Sequence, residues 1–372
     1  MSRLEELIKQ LCPNGVEYKA LREIADVSIG EFVRKDKQSP DAPYPVFNGG
    51  TSNTGFYDEY NRTANKIIIS ARGANAGFVN RVFTDFWSGN SCYTIDVTDP
   101  SISWNYLYYW LKSREKKLLG EQQKGGIPAV SKKQVEEFLT LTPPLEVQRE
   151  IVRILEQFTK LTAELTAELT ARKKQYAYYR DELFRTAENA TVCYLNEISE
   201  NCDNQRKPVT SGNRIAGEYP YYGASGIVDY VDDYIFDGDY LLISEDGANL
   251  LARSMPIAFS ISGKNWVNNH AHVLHFDTYE TRRYVEIYLN SIDLSPYITG
   301  GAQPKLNQKN LNKIPIPLPS PDEQRRIVSI LDRFDTLCND LTSGLPAEIE
   351  ARRKQYEYYR DKLLTFRDIS EG

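Results

Sequence analysis

Apolar positions recur at alternating steps of four and three residues through Ile151, Leu155, Phe158, Thr162, Leu165, Leu169, Arg172, Tyr176, Tyr179 and Leu183. This is the heptad spacing of a coiled-coil seam, so it predicts one long helix across the middle of the chain. A second run passes through Ile327, Leu331, Phe334, Cys338 and Leu341, and continues through Leu345, Ile349, Arg352, Tyr356, Tyr359 and Leu363. Its register shifts at Ser343-Gly-Leu-Pro346, a four-residue insertion that acts as a stutter, and Gly344 with Pro346 is expected to break or kink the helix there.

Before each helical run the pattern changes. Lys66-Ile-Ile-Ile-Ser70 and Tyr240-Leu-Leu-Ile-Ser244 are short apolar runs that end in the turn-like segments Arg72-Gly-Ala-Asn75 and Asp246-Gly-Ala-Asn249. Alternating segments follow at Cys92–Val97 and His272–Phe276, then aromatic helical patterns around 104–118 and 281–292. Gly-Gly turns with a nearby proline come next, at Gly125-Gly-Ile-Pro128 and Gly300-Gly-Ala-Gln-Pro304. Each stretch reads as a mixed α+β domain of ordinary size.

The two halves are copies. Arg172-Lys-Lys-Gln-Tyr-Ala-Tyr-Tyr-Arg-Asp-Glu-Leu-Phe184 returns as Arg352-Arg-Lys-Gln-Tyr-Glu-Tyr-Tyr-Arg-Asp-Lys-Leu-Leu364, with nine of thirteen positions identical. Gln148-Arg-Glu-Ile-Val-Arg-Ile-Leu155 returns as Gln324-Arg-Arg-Ile-Val-Ser-Ile-Leu331, and Leu21-Arg-Glu-Ile24 as Leu195-Asn-Glu-Ile198. A duplicated domain-plus-helix unit predicts a pseudo-twofold internal repeat. The first helix also carries a tandem, Thr162-Ala-Glu-Leu165 followed by Thr166-Ala-Glu-Leu169.

The 372 residues allow two or three domains, and no run of eighteen apolar residues or signal-peptide core is present, which predicts a cytoplasmic protein. Five scattered cysteines are expected to be free thiols. The net charge of −6 argues against a protein that simply coats DNA. Residues 16–140 hold 16 Lys/Arg against 15 Asp/Glu, and residues 191–315 hold 10 against 15, so phosphate neutralisation would have to come from local patches or a partner.

Motifs for nucleotide, zinc-protease or serine-hydrolase chemistry are missing, and Thr142-Pro-Pro-Leu145 reads as a hinge. His270, His272 and His275 cluster on an expected strand without visible carboxylate or cysteine partners, and the first domain has no histidine, so no metal site is expected. The residues give no enzyme.

Binding then falls to the loops. In the first domain the candidates for DNA contact are Arg34, Lys35, Lys37, Asn48, Gly49, Thr51, Arg72, Asn75, Lys124 and Gly125. In the second they are Ser225, Asn249, Arg253, Gln303, Lys305 and Asn307. Arg, Lys, Asn and Gln read base edges, and glycine permits close backbone approach to phosphate, but the same types also build ordinary turns. The helices repeat closely while these loops differ, which points to two unlike reading heads. A non-catalytic two-domain scaffold for a non-DNA ligand is the competing reading.

The whole chain resembles the specificity subunit of type I restriction–modification enzymes. The resemblance rests on the Pro-rich entry to Gln-Arg-x-Ile-Val-x-Ile-Leu, the twice-repeated Arg-x-Lys-Gln-Tyr-x-Tyr-Tyr-Arg-Asp-x-Leu helix and the tandem Thr-Ala-Glu-Leu, which is similar to a subclass with such repeats in its central helix. It implies an α+β fold with two target-recognition domains separated by two long antiparallel coiled-coil helices. The corresponding boundaries are an N-terminal segment 1–15, a first domain 16–142, a central helix 143–188, a second domain 189–318, a second helix 319–367 and a tail 368–372. It also implies a non-catalytic subunit that reads an asymmetric bipartite site on double-stranded DNA. Two modification (methyltransferase) subunits would dock on the helices, and two restriction (translocase–endonuclease) subunits would join them. S-adenosylmethionine, ATP and magnesium would be bound by those partners and not by this chain. Spacing and docking would then fall to helix residues Ile151, Leu155, Phe158, Leu165, Leu169, Tyr176, Tyr179, Ile327, Leu331, Phe334, Tyr356 and Tyr359.

Overall fold

The computed structural model of the chain describes residues 3–119, 127–187, 190–301 and 303–367. They form two compact units, Met1–Thr166 with Glu348–Gly372, and Ala167–Ala347. Both divisions fall within helical segments, so each unit consists of a globular domain together with lengths of helix.

In the first unit an antiparallel sheet runs in the order Ala25–Ile29, Cys92–Val97, Lys66–Ser70, Val79–Val82. A smaller sheet orders Gly55–Tyr57, Tyr44–Phe47 and Trp87–Ser88, the last pair parallel. Tyr18–Ala20 pairs with Leu139–Leu141 and joins the two ends of the domain. The isoleucine run is continuously apolar because both its faces are covered. Ile67 and Ile69 enter the main core with Tyr106, Leu107 and Trp110 of the helix Trp104–Ser113, while Ile68 packs with Val82, Phe86 and Cys92 on the other side. The helix Arg3–Leu11 also belongs to this unit, anchored by buried Leu4.

The second unit repeats the plan. Glu200–Asn201, Ala271–His275, Tyr240–Ser244 and Ala258–Ile261 make the main sheet, and Gly226–Val231, Ala216–Gly223, Lys264–Val267 and Phe236–Asp237 the smaller one. Leu241 and Ile243 face the helix Tyr279–Ser291, and Leu242 faces Val273, Ile261 and Phe236. Thr191–Cys193 and Ile316–Leu318 close the domain. A tyrosine on each domain helix bonds to the closing strand, Tyr106 Oη to Leu141 O (3.1 Å) and Tyr284 Oη to Pro317 O (2.6 Å). Tyr284→Phe is expected to cost about 1 kcal/mol in urea unfolding, because it leaves the half-buried Pro317 carbonyl without this donor.

The central helix spans Leu145–Arg185. In the first unit Val147, Ile151 and Leu155 are buried in the domain core, and Phe158 stacks on Tyr359 with ring centroids 5.5 Å apart. In the second unit Ile327, Val328 and Leu331 of the helix Pro321–Asn339 enter the core, and Phe334 packs against Tyr176 and Tyr179 at 6.4 and 5.8 Å. The repeated glutamine explains itself in the same way. Gln148 Nε2 donates to Pro143 O and Ser101 O (2.7 and 2.9 Å), and Gln324 Nε2 donates to Pro319 O (2.7 Å). Each fastens a helix root to its proline-marked entry.

The second helical run is broken, not stuttered. One helix ends at Asn339 and the next spans Leu345–Leu363. Asp340 caps the break by accepting from Thr342 N (2.7 Å), Thr342 Oγ1 (2.6 Å) and Ser343 Oγ (2.5 Å), which holds its carboxyl at about 2. A side chain at Gly344 would collide with Thr336 O, Asp340 O and Leu337 O. Leu341 is 80% exposed, so it is not a seam residue, because the chain has already left the helix at that point. The aromatic pattern expected to continue to 118 is likewise split, into Trp104–Ser113 and Glu115–Leu119 at Arg114.

Candidate nucleic-acid interface

Each unit carries a rim of loops at the ends of its main-sheet strands, and the two rims are built by the same hydrogen bonds. In the first, Trp87 Nε1 donates to Glu31 O (2.8 Å), Gly89 N to Phe47 O (2.8 Å), Ala71 N to Ser91 O (2.8 Å), Gly73 N to Pro128 O (2.8 Å) and Val130 N to Ala71 O (2.8 Å). In the second, Trp266 Nε1 donates to Lys207 O (2.6 Å), Asn268 N to Tyr222 O (3.1 Å), Glu245 N to His270 O (2.8 Å), Gly247 N to Pro304 O (3.1 Å) and Leu306 N to Glu245 O (2.7 Å). Ser70 Oγ donates to Gly50 O (3.1 Å), and Ser244 Oγ to Ala224 O. Five segments distant in sequence thus meet in each unit.

The first rim gathers most of its expected residues. Gly49 lies so close to Arg72 that a Cβ on it would sit 2.6 Å from Arg72 O, so only glycine lets these two loops meet. Asn48 Nδ2 donates to Thr54 Oγ1 (3.1 Å). Thr51, Arg72 and Asn75 are exposed. Arg34, Lys35 and Lys37 are exposed on a short 3₁₀ turn, where Arg34 makes a long 3.5 Å ion pair with Asp36. Among the described residues Lys35, Lys37 and Arg72 have no ion pair. Lys124 and Gly125 lie outside the described residues. Two residues that sequence reasoning passed over stand on the same rim, Phe32 at 68% exposure and Ile127 at 81%. An apolar side chain left that exposed beside cations suits contact with a base or sugar.

The second rim uses most of its expected residues for itself. Asn249 donates to Met255 O (3.0 Å) and accepts from Met255 N (2.9 Å), which closes its own turn. Arg253, at φ 53°, donates to Ile292 O, and burial pushes its guanidinium pKa down. Lys305 pairs with Glu245 (3.1 Å), and Asn307 caps the helix Gln308–Leu311 by accepting from Asn310 N (3.0 Å). Ser225 and Gln303 are exposed.

Two of the three histidines have carboxylate partners after all, brought in from distant loops. His270 Nδ1 lies 2.9 Å from both carboxylate oxygens of Asp246. His272 Nδ1 lies 2.6 Å from Asp203 Oδ2, and its Nε2 is 2.8 Å from Leu306 O. Asp203, Glu245 and His272 converge closely enough to suggest a metal set. Arg206 already bridges the two carboxylates (3.2 and 2.7 Å), and Lys305 adds a second cation, so the donors are committed to internal pairs.

Burial alone would raise both carboxylates, but their partners overcome it. His272 and Arg206 hold Asp203 below its ordinary range, and Arg206, His272 and Lys305 do the same for Glu245. A lowered folded pKa gives stability that is present above about pH 4 and fades as pH falls through the lowered values. The unfolding midpoint of the second unit is therefore expected to drop on acidification from pH 5 to 3, and less so in Asp203→Asn.

The expected helix residues are mostly internal. Ile151, Leu155, Ile327 and Leu331 are core, and Phe158, Tyr176, Tyr179, Phe334, Tyr356 and Tyr359 pack within their own units, with Leu165 and Leu169 half-buried. The outward-facing repeated pair is Tyr178 and Tyr358, 63% and 62% exposed, each edge-on to the next tyrosine at 5.5 and 5.3 Å. Their place in the repeated Tyr-x-Tyr-Tyr was the available signal. Among the described residues no helix is long and apolar enough to cross a membrane.

Comparison with known proteins gives a family described as the type I restriction modification DNA specificity domain, matched at residues 13–172 and again at 188–351. A putative type I restriction enzyme specificity subunit of Haemophilus influenzae is 40% identical over 181 residues, 48% of this chain and 46% of that one, so the match spans about half of that relative. The EcoR124I/EcoR124II specificity subunit of Escherichia coli is 36% identical over 287 residues, 70% of each chain. Among solved structures, the S subunit of a type I restriction–modification system from M. genitalium shares the fold with a TM-score of 0.65 at 20% identity, over 94% of this chain and 96% of that one.

Proposed function

Because the chain belongs to the type I restriction–modification DNA specificity family, we propose that it is the sequence-reading subunit of such a complex, with each rim reading one half of a bipartite DNA site. The observation that carries this reading is the pair of rims. Their backbone hydrogen bonds are the same, yet the side chains they present differ, with unpaired cations on the first and a carboxylate–histidine pair on the second. A common frame with unlike contents suits two unlike half-sites. In this reading the chain is a non-catalytic subunit with no cofactor of its own.

Methylation and cleavage then fall to partners. Two methyltransferase subunits would bind S-adenosylmethionine, and two translocase–endonuclease subunits would bind ATP and magnesium. Partners that share the phosphate contacts would reconcile DNA binding with a net charge of −6. The repeated, outward Tyr178 and Tyr358 offer two equivalent docking anchors for two copies of one partner. Tyr178→Ala with Tyr358→Ala is expected to weaken methyltransferase association at least tenfold in a pull-down titration, with the fold unchanged by circular dichroism. The helices would set the spacing between the two half-sites, and the tandem at Thr162–Leu169 would tune it.

The test of the reading role is a domain exchange. With residues 16–140 replaced by the matching segment of another family member, methylation mapping should show one half-site changed and the other kept. A change in both, or in neither, would contradict the division of labour.

A further inference from the structure

The matching bonds of the two rims place Asp246 of the second where Arg72 stands in the first, since Gly247 N to Pro304 O repeats Gly73 N to Pro128 O. They also place His270 where Ser91 stands, since Glu245 N to His270 O repeats Ala71 N to Ser91 O. Arg72 is a donor only. Asp246 is the reverse, since a carboxylate only accepts. Nδ1 of His270 is 2.9 Å from both oxygens of Asp246, and an ionised carboxylate can only accept, so Nδ1 carries the proton. Nε2 of His270 has no partner among the described residues. His270 is 51% and Asp246 33% exposed, so the pair faces solvent. The nearby cations are already spent, because Arg206 and Lys305 both pair with the neighbouring Glu245.

A carboxylate would repel phosphate, so its use on a rim that reads DNA is with a base edge. The major-groove edge of cytosine offers an amino donor at N4 with no acceptor beside it, whereas adenine sets its N7 acceptor next to N6. Building on the reading role proposed above, we propose that the Asp246–His270 pair is a specificity-determining element that reads a cytosine in the second half-site. Arg72 at the equivalent place reads a guanine, whose O6 and N7 both accept. His270 orients the carboxylate through Nδ1.

Methylation mapping of the full complex tests this with Asp246→Asn, which keeps the shape but presents an amide that suits adenine. The half-site of the second unit is identified as the one that survives exchange of residues 16–140. The expected result is a cytosine in that half-site of the wild type. In the variant, methylation of the cytosine-containing sites falls roughly tenfold and adenine is accepted there, while the other half-site stays intact. An unchanged second half-site, or one without cytosine in the wild type, overturns the inference and leaves the bipartite reading standing. A wild type with no bipartite motif overturns both. If Asp246→Asn abolishes methylation altogether, His270→Ser, which installs the residue of the first rim, decides between the same results.

Discussion

A third Thr-Ala-Glu-Leu inserted after Leu169 should lengthen the gap between half-sites by one or two base pairs and leave both half-sites as they were. Four residues extend a helix by about 6 Å, against roughly 3.4 Å for each base-pair step. They also advance it about 40° beyond a full turn, close to the ~34° of one step of DNA with 10–10.5 base pairs per turn. Rise and rotation therefore change in the same sense for the helix and the duplex. The insertion is tolerable because four residues shift a heptad seam only as a stutter, and the seam here, at Thr162, Leu165 and Leu169, is half-buried and not deep core. Deletion of one copy should shorten the gap by the same amount. Methylation mapping of the three lengths reads this directly, and altered half-sites would contradict it.

The second large effect is on stability. Arg283→Ala is expected to cost about 3 kcal/mol in urea unfolding of the full chain, carried by the second unit. Arg283 donates to Glu286 Oε1 (2.6 Å), Asp332 Oδ1 (2.7 Å) and Asp335 Oδ2 (2.6 Å), tying the domain helix to the root of the helix Pro321–Asn339. Burial opposes its charge, yet the three carboxylates raise its pKa overall. Its removal leaves Glu286 buried, where burial already pushes the carboxyl pKa up. The cost stays near the low end for a buried network because Asp335 is 37% exposed and water screens it. In the first unit the corresponding clamp is Arg81, which bonds to Asn105 Oδ1 (2.7 Å) and lies 4.6 Å from the Tyr108 ring centroid, with Glu156 farther at 3.4 Å. Arg81→Ala should therefore cost less and depend less on salt, a contrast that a mere count of ion pairs would miss.

The architecture could be read from the chain because its signals are local and repeated. A run such as Lys66–Ser70 is apolar on both faces, and the seam from Ile151 to Leu183 keeps one period throughout. Duplication then doubled each signal. What escaped reading depends on groups far apart in sequence. His272 meets Asp203 from 69 residues away and His270 meets Asp246 from 24, so no spacing rule could pair them. Asn249 and Asn307 looked like readers because turn-building and base-reading draw on the same side chains, and only the direction of the side chain separates the two uses. Leu341 fitted the heptad but lies past the end of its helix. Phe32 and Ile127 were missed because an apolar residue in a loop carries no sign of exposure until the fold is known. The repeat held the needed hint for the second rim, since Arg72-Gly-Ala-Asn75 against Asp246-Gly-Ala-Asn249 already set opposite charges at one position.

The most direct test is the adenine methylation pattern of DNA from cells that carry this chain with a methyltransferase of the same system, against cells that lack the chain. The expected result is methylation confined to one motif of two short, unlike half-sites around a gap of fixed length, lost when the chain is absent. Methylation that persists without the chain, or that falls on a single uninterrupted motif, would contradict the assignment of two reading rims on a measured spacer.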